Sequence, residues 1–292
     1  MIISIASGKG GTGKTTVAVN PTLSLVDDNN VQLLDCDVEE PNAHIFLNPE
    51  ITEQKKAFIP VPGINKEKCT FCGKCAKACE FNAIAILPDN FMLFKELCHG
   101  CGLCTMVCPQ KAITEKNREI GVIEKGTSNG IEFVHGILNI GEAMSSPLIA
   151  SVKEEIDKNK TAIVDAPPGA ACPVIETLHE SDFCILVTEP TPFGLYDLKI
   201  AVDLLEKLEI PHGVVINRDG IGNNETENFC NENKIPILLK IPYDKKIAET
   251  YSRGVPFVME MPEWKEKFLE VFEKIKNDEN KEYTSVFDVA EK

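Results

Sequence analysis

No run of about 18 consecutive apolar residues occurs in this 292-residue chain, so the sequence predicts no membrane-spanning helix. It leaves no room for a secretory leader, because Met1-Ile2-Ile3-Ser4-Ile5 runs straight into a glycine-rich motif. Positive charge is in deficit. Thirty Lys and Arg stand against 45 Asp and Glu, a net charge of −15 that argues against nucleic acid or an anionic membrane surface as the main partner. Hydrophobic residues make up 43% of the chain, which suits a globular protein with a real core, and the length admits one large domain or two ordinary ones. Cysteine, by contrast, is abundant. Twelve of them in a chain expected to be cytoplasmic point to metal or redox chemistry rather than disulfides.

Eight of the 12 lie in two runs, Cys69-x2-Cys72-x2-Cys75-x3-Cys79 and Cys98-x2-Cys101-x2-Cys104-x3-Cys108-Pro109. A shift of 29 carries Cys69 onto Cys98, Cys79 onto Cys108 and Ala83-Ile84 onto Ala112-Ile113, the mark of an internal duplication. Zinc ribbons, the competing assignment, use separated Cys-x2-Cys pairs rather than four cysteines in one run. Each run resembles the bacterial ferredoxin spacing for a [4Fe–4S] cluster, with Glu80 where the first run would have proline. In that family the fourth cysteine serves the other cluster. The resemblance therefore implies one cluster on Cys69, Cys72, Cys75 and Cys108 and a second on Cys98, Cys101, Cys104 and Cys79. His99 reads as a solvated loop residue. Of the scattered cysteines, Cys36, Cys184 and Cys230 read as structural, Cys184 in the core.

An apolar strand, residues 1–6, leads into Gly8-Lys9-Gly10-Gly11-Thr12-Gly13-Lys14-Thr15-Thr16 and then a helical pattern. This satisfies G-x-x-x-x-G-K-[ST] in its strand–loop–helix setting. Backbone N–H groups freed by the glycines, with the helix N-terminus, suit ATP phosphates; Lys14 suits the β- and γ-phosphates and Thr15 suits Mg²⁺. With Lys9 the loop reads KGGTGKTT, which resembles the deviant Walker A motif of Mrp/MinD-type P-loop ATPases. The resemblance implies that Lys9 acts in trans across a dimer, as an arginine finger does. Val31-Gln-Leu-Leu-Asp35-Cys36-Asp37 resembles switch I, which implies that Asp37 handles the attacking water, with Asp35 supporting it or the Mg²⁺ shell. Thr161-Ala-Ile-Val-Asp165-Ala-Pro167-Pro168-Gly169 resembles switch II, with Asp165 on Mg²⁺ and the Gly169 N–H on the γ-phosphate. Val214-Val-Ile-Asn217-Arg218-Asp219 resembles the adenine-recognition segment, with Asn217 on the base, and Ile241-Pro242-Tyr243-Asp244 the loop that flanks it.

Short Ile- and Val-rich runs at 2–6, 31–36, 161–165, 183–188 and 213–217 alternate with helical segments such as 148–158 and 195–208, the pattern of an α/β fold with a doubly wound, mostly parallel sheet. The cysteine-rich stretch interrupts it. The expected organisation is an ATPase body of residues 1–59 and 119–292 with an inserted α+β ferredoxin-like domain at 60–118. The insert carries eight basic and five acidic residues, +3, which leaves −18 on the body. Pro21 falls inside the helix after the loop, where bonding to the preceding turn should be lost or distorted. Residues 263–277 form an amphipathic helix expected to dock on the protein's own core rather than on a membrane.

Three functions follow from the resemblance. The leading one is a homodimer, or a heterodimer with a sister ATPase, whose ATP cycle gates electron transfer through the clusters to an unknown redox partner. An alternative is an iron–sulfur cluster assembly or carrier ATPase of Mrp type, although the paired Cys-x-x-Cys of those ATPases is absent and Cys230 stands alone. The third, a MinD-like positioning ATPase, lacks a sequence basis for attachment. Cys172, seven residues after Asp165, is open between a structural role and a site on a dimer axis.

Overall fold

The computed structural model describes residues 1–26 and 30–278. In chain order the strands are β1 (Ile2–Ala6), β2 (Val31–Asp35), β3 (Glu50–Ile64), β4 (Ile84–Leu87), β5 (Asn90–Leu93), β6 (Ile113–Ser128), β7 (Ile131–Leu138), β8 (Thr161–Asp165), β9 (Phe183–Thr188), β10 (His212–Asp219) and β11 (Ile237–Pro242). The helices are α1 (Lys14–Ser24), α2 (Ala43–Leu47), α3 (Lys74–Ala78), α4 (Leu103–Met106), α5 (Ser146–Lys153), α6 (Cys172–Leu178), α7 (Pro192–Lys207), α8 (Glu225–Glu232), α9 (Lys245–Ser252) and α10 (Glu263–Asp278).

Nine strands form one sheet in the order β11-β10-β9-β1-β8-β2-β7-β6-β3. It is parallel from β11 to β7 and antiparallel at β6 and β3. The parallel strands are apolar almost throughout because helices cover both faces. On one face Ile3, Ile5, Leu33, Ile163 and Val187 meet α1 and α10. On the other, Leu186, Val214 and Ile216 meet α6 and α7, while Leu34, Val134 and Val164 meet α5. In α10 the apolar stripe Trp264, Phe268, Val271, Phe272 and Ile275 is buried in that first core, as its spacing predicts.

Pro21 is buried and α1 runs on through it. The proline has no N–H to give, and side chains supply donors to nearby carbonyls instead: Asn20 Nδ2 to Thr16 O (2.8 Å), Thr22 Oγ1 to Ala18 O (2.7 Å) and Ser24 Oγ to Asn20 O (2.9 Å).

The sequence pattern did not announce the long ribbon. β3 and β6 pair from Glu50↔Thr127 to Ile64↔Ile113, but β7 accompanies β6 only over Gly121–Ser128. The far half of the ribbon thus extends past the sheet and carries α3, β4, β5 and α4, with β4–β5 a separate hairpin. Ile59 and Arg118, the last body-side and insert-side positions expected at the two boundaries, face each other in the middle of it. Pro60 and Pro62 sit within β3, an edge strand, where a missing N–H is tolerated.

Candidate functional site

The glycine-rich loop follows β1 and turns into α1 through two left-handed residues, Gly11 (φ 79°) and Gly13 (φ 95°). A Cβ at Gly13 would lie 2.3 Å from Asn217 Nδ2, and one at Gly8 would lie 2.3 Å from the Asp197 carbonyl of α7, so both positions require glycine. The loop is braced from its neighbours. Asn217, at the C-terminal end of β10, donates to Thr12 O (2.8 Å) and accepts from Arg218 N (2.9 Å). The side chain expected on a base thus spends its amide on the loop backbone. The Gly169 N–H, expected on a γ-phosphate, donates to Ser7 O (3.1 Å). Asp219 and Pro242 are cross-strand neighbours, and Tyr243 N donates to Asp219 O (2.9 Å), which joins the two segments expected around the base.

Three acids gather beside the loop. Asp35 and Asp165 are register partners at the ends of β2 and β8 and both are buried. Asp35 accepts N–H bonds from Asp37 (3.1 Å), Asn42 (2.9 Å) and Ala43 (2.9 Å), so it shapes the turn that follows it. Burial raises its pKa, against those bonds. Both carboxylate oxygens of Asp165 are buried with no hydrogen-bond partner. Burial and the charge of Asp35 push its pKa up, and the neighbouring Thr15 hydroxyl and Lys14 ammonium oppose them. An orphaned carboxylate next to Thr15 fits Mg²⁺. Asp37 is half-buried, and burial with the Asp35 charge raises its pKa to about 6.

The register line through Asp165 and Asp35 continues across the sheet to His135 on β7, Glu124 on β6 and Gln54 on β3. His135 Nε2 lies 2.9 Å from Glu124 Oε2, and Gln54 Nε2 donates to Glu124 Oε1 (2.8 Å). Sequence reasoning missed this row because its members are far apart in the chain. It missed Glu189 too. That acid directly follows β9, is 7% exposed, and pairs with Lys9 (3.6 Å) and Arg218. Lys9 is therefore held within its own subunit. An acid at the C-terminal end of a parallel strand was the available signal.

The cysteines divide into two cavities. One is lined by Cys69, Cys72, Cys75 and Cys108, the other by Cys79, Cys98, Cys101 and Cys104. Each set takes three thiols from one run and the fourth from the other. The duplication is geometric as well. Left-handed residues recur at the 29-residue shift, Phe71/Gly100, Gly73/Gly102 and Asn82/Lys111, and Ala83 N and Ala112 N each donate to the fourth cysteine of their run (3.3 Å). Burial raises the pKa of Cys75 and Cys104, and in each case the charges of two further cysteines of the same set add to it, a repulsion that a cationic iron core relieves. Among the described residues no group of His, Cys, Asp or Glu is placed to hold a single metal ion; each thiol set surrounds a space instead. His99 is exposed and stacks on Phe81, ring centroids 3.5 Å apart. Cys36, Cys184 and Cys230 are buried and Cys172 is exposed.

Residues 3–257 match the CobQ/CobB/MinD/ParA nucleotide-binding domain. The chain belongs to that family. Two uncharacterized proteins of Methanocaldococcus jannaschii are 36% and 31% identical to it, over 88% and 94% of this chain and 91% and 96% of theirs. An iron–sulfur cluster carrier protein of Pyrococcus abyssi is 26% identical over 96% of this chain and 89% of its own. The septum site-determining protein MinD of Pyrococcus horikoshii, complexed with Mg-ADP, shares the fold at a TM-score of 0.57 and 21% identity, covering 94% of this chain and 95% of that one. Nucleotide binding at the braced loop is thus a family property of this chain. Among the described residues no helix is long and apolar enough to cross a membrane.

Proposed function

We propose that this chain is an ATPase that works on iron–sulfur clusters, with two [4Fe–4S] clusters in the ferredoxin-like insert of residues 60–118 and an ATPase body of residues 1–59 and 119–292. The observation that carries the proposal is the division of eight thiols into two four-thiol cavities, each completed by the other run, on a ribbon that grows from the edge of the same sheet that bears the nucleotide loop. Lys14 and the loop amides bind the phosphates, Thr15 and Asp165 hold Mg²⁺, and Asp37 orients the attacking water. Lys9 leaves Glu189 when two subunits close and enters the partner's site. The partner is a second copy or a sister chain, and the two relatives found in one organism suit the sister form. Bound clusters supply one-electron chemistry or serve as transferable iron and sulfide.

Cluster assembly and carriage is the reading that the relatives support, since several are named iron–sulfur cluster carriers and one a cytosolic Fe–S cluster assembly factor. Electron transfer is the second reading, and the interleaved thiol sets favour it because they grip a cluster from both halves of the insert. Positioning at a membrane gains nothing from α10, whose apolar face is already covered. The deciding experiment is anaerobic purification with iron and sulfide analysis, then incubation with an apo-acceptor and MgATP. About eight irons per chain confirm the clusters. ATP-dependent loss of iron to the acceptor establishes carriage. Retained clusters whose potentials respond to nucleotide establish electron transfer. A chain that binds no iron refutes the proposal.

A further inference from the structure

The two cavities are not equivalent with respect to the ATPase body. Cys79 and Cys98 of the second belong to the hydrophobic cluster that contains Cys36 and Val38 of switch I, together with Ala57, Ile59 and Ile120. A separate small cluster built on Ile84, Phe91 and Ile113 touches thiols of both cavities, but the first cavity is lined by Ile64 and Ile113, the outermost pair of the ribbon, and the second by Pro60 and Val61, nearer the body. The second cavity is body-proximal and the first is distal.

A polar chain runs beside this apolar contact. Val38, next to Asp37, accepts the N–H of Leu138 (2.9 Å), and Asn139 N donates to Ile120 O (2.9 Å). Three residues on, Glu142 receives both terminal nitrogens of Arg118, which is two residues from Ile120 on β6. The pair is well sheltered, with side-chain exposures of 16% for Arg118 and 4% for Glu142. The hydrogen bonds from Glu142 hold the guanidinium charged. Arg118 Nε is buried with no hydrogen-bond partner. Arg118 pairs across the ribbon with Ile59, and the next residues of β3, Pro60 and Val61, line the second cavity, so an unspent buried N–H on a cation stands next to that cavity's wall, where donors and positive charge raise a cluster's reduction potential.

We propose that Arg118 is a positioning residue for the body-proximal cluster and that Glu142 ties it to switch I, so that nucleotide alters that cluster's potential and not the distal one's. This rests on the reading that the insert holds two [4Fe–4S] clusters. The mechanism is electrostatic. Removing or retreating the guanidinium leaves an anionic cluster less compensated, which disfavours the added electron and drives the potential down.

The test is an EPR-monitored redox titration of the anaerobically purified full chain, with and without MgADP or a non-hydrolysable ATP analogue. Iron is counted in every variant, and Cys79→Ala identifies which signal is the proximal cluster. In the wild type, nucleotide should shift the proximal potential and leave the distal one in place. Arg118→Gln should move only the proximal potential in the negative direction. Arg118→Lys, which keeps the charge but not the two-pronged grip, should restore the baseline potential without the nucleotide response. Glu142→Gln should keep about eight irons and lose that response. A clasp that merely fastens the ribbon predicts unchanged potentials in all three variants, or equal shifts of both clusters, and either result overturns the proposal. A nucleotide response that survives Glu142→Gln overturns it as well, as does a wild type whose loaded clusters ignore nucleotide. A wild type without iron sinks the underlying cluster reading instead.

Discussion

Asp37→Asn should stabilise the nucleotide-free fold while removing the group that orients the attacking water. Asp37 ionises at an ordinary 3.8 when exposed and at about 6 in the fold, because burial and the neighbouring Asp35 oppose its charge. A gap of that size is worth about 3 kcal/mol at 1.36 kcal/mol per pH unit, and partial exposure to water reduces it to about 1–2 kcal/mol. The sign follows from proton counting. Between pH 4 and 6 the unfolded chain has given up this proton and the folded one has kept it, so stability falls as pH rises through that window, and the cost is complete above it. The amide has no charge to bury. At about 2–4 °C per kcal/mol for a chain of this size, the variant should melt about 2–8 °C above the wild type at pH 8, and the difference should shrink to about half by pH 5. Thermal unfolding followed by circular dichroism over that pH range checks it. A melting difference that does not change with pH, or a variant less stable at pH 8, refutes the assignment of a strained charge.

Cys108→Ala should lose the cluster of Cys69, Cys72 and Cys75, and Cys79→Ala the other, each bringing iron from about eight to about four per chain; loss from the mutated run's own set would show that the sets are not interleaved. Lys9→Ala should lower steady-state ATP hydrolysis by about 10³-fold with nucleotide binding retained, as for a trans-acting cation, and near-normal turnover would mean that Lys9 stays with Glu189. Phe268→Ala, at a side chain 1% exposed in the core under α10, should cost about 3–5 kcal/mol in denaturant unfolding. Gly13→Ala forces a left-handed residue to carry a Cβ into Asn217, and it should abolish nucleotide retention on equilibrium dialysis.

Much of this molecule was legible in the sequence because its signals are local. The Gly8–Thr16 loop is contiguous, and the duplicated cysteine runs carry their spacing with them. The central strands read as short apolar runs because they are buried on both faces. The ribbon escaped for the opposite reason. Glu50–Lys56 is exposed and rich in Glu and Lys, and the pairing that makes it a strand lies more than 60 residues away in β6. Glu189 and the Asp35–His135–Glu124 row were hidden similarly, since each is defined by partners that only the sheet order brings together. The motif around Asn217 is legible, but its bond to the loop at Thr12 and its close approach to Gly13 are encoded by no one-dimensional pattern.

The ribbon also sets an order for assembly. Its outermost pair, Ile64 and Ile113, closes a loop of 48 intervening residues, at an entropic cost of about 3–4 kcal/mol. The strand that must cross back, β6, follows both cysteine runs in the chain. A cluster that ties Cys75 to Cys108 joins the two halves of that loop from within and shortens the search for register. Iron loading and zippering of the sheet's outer edge then stabilise one another, so starving the cell of iron should leave a chain whose parallel core is folded while its outermost ribbon is open to proteases.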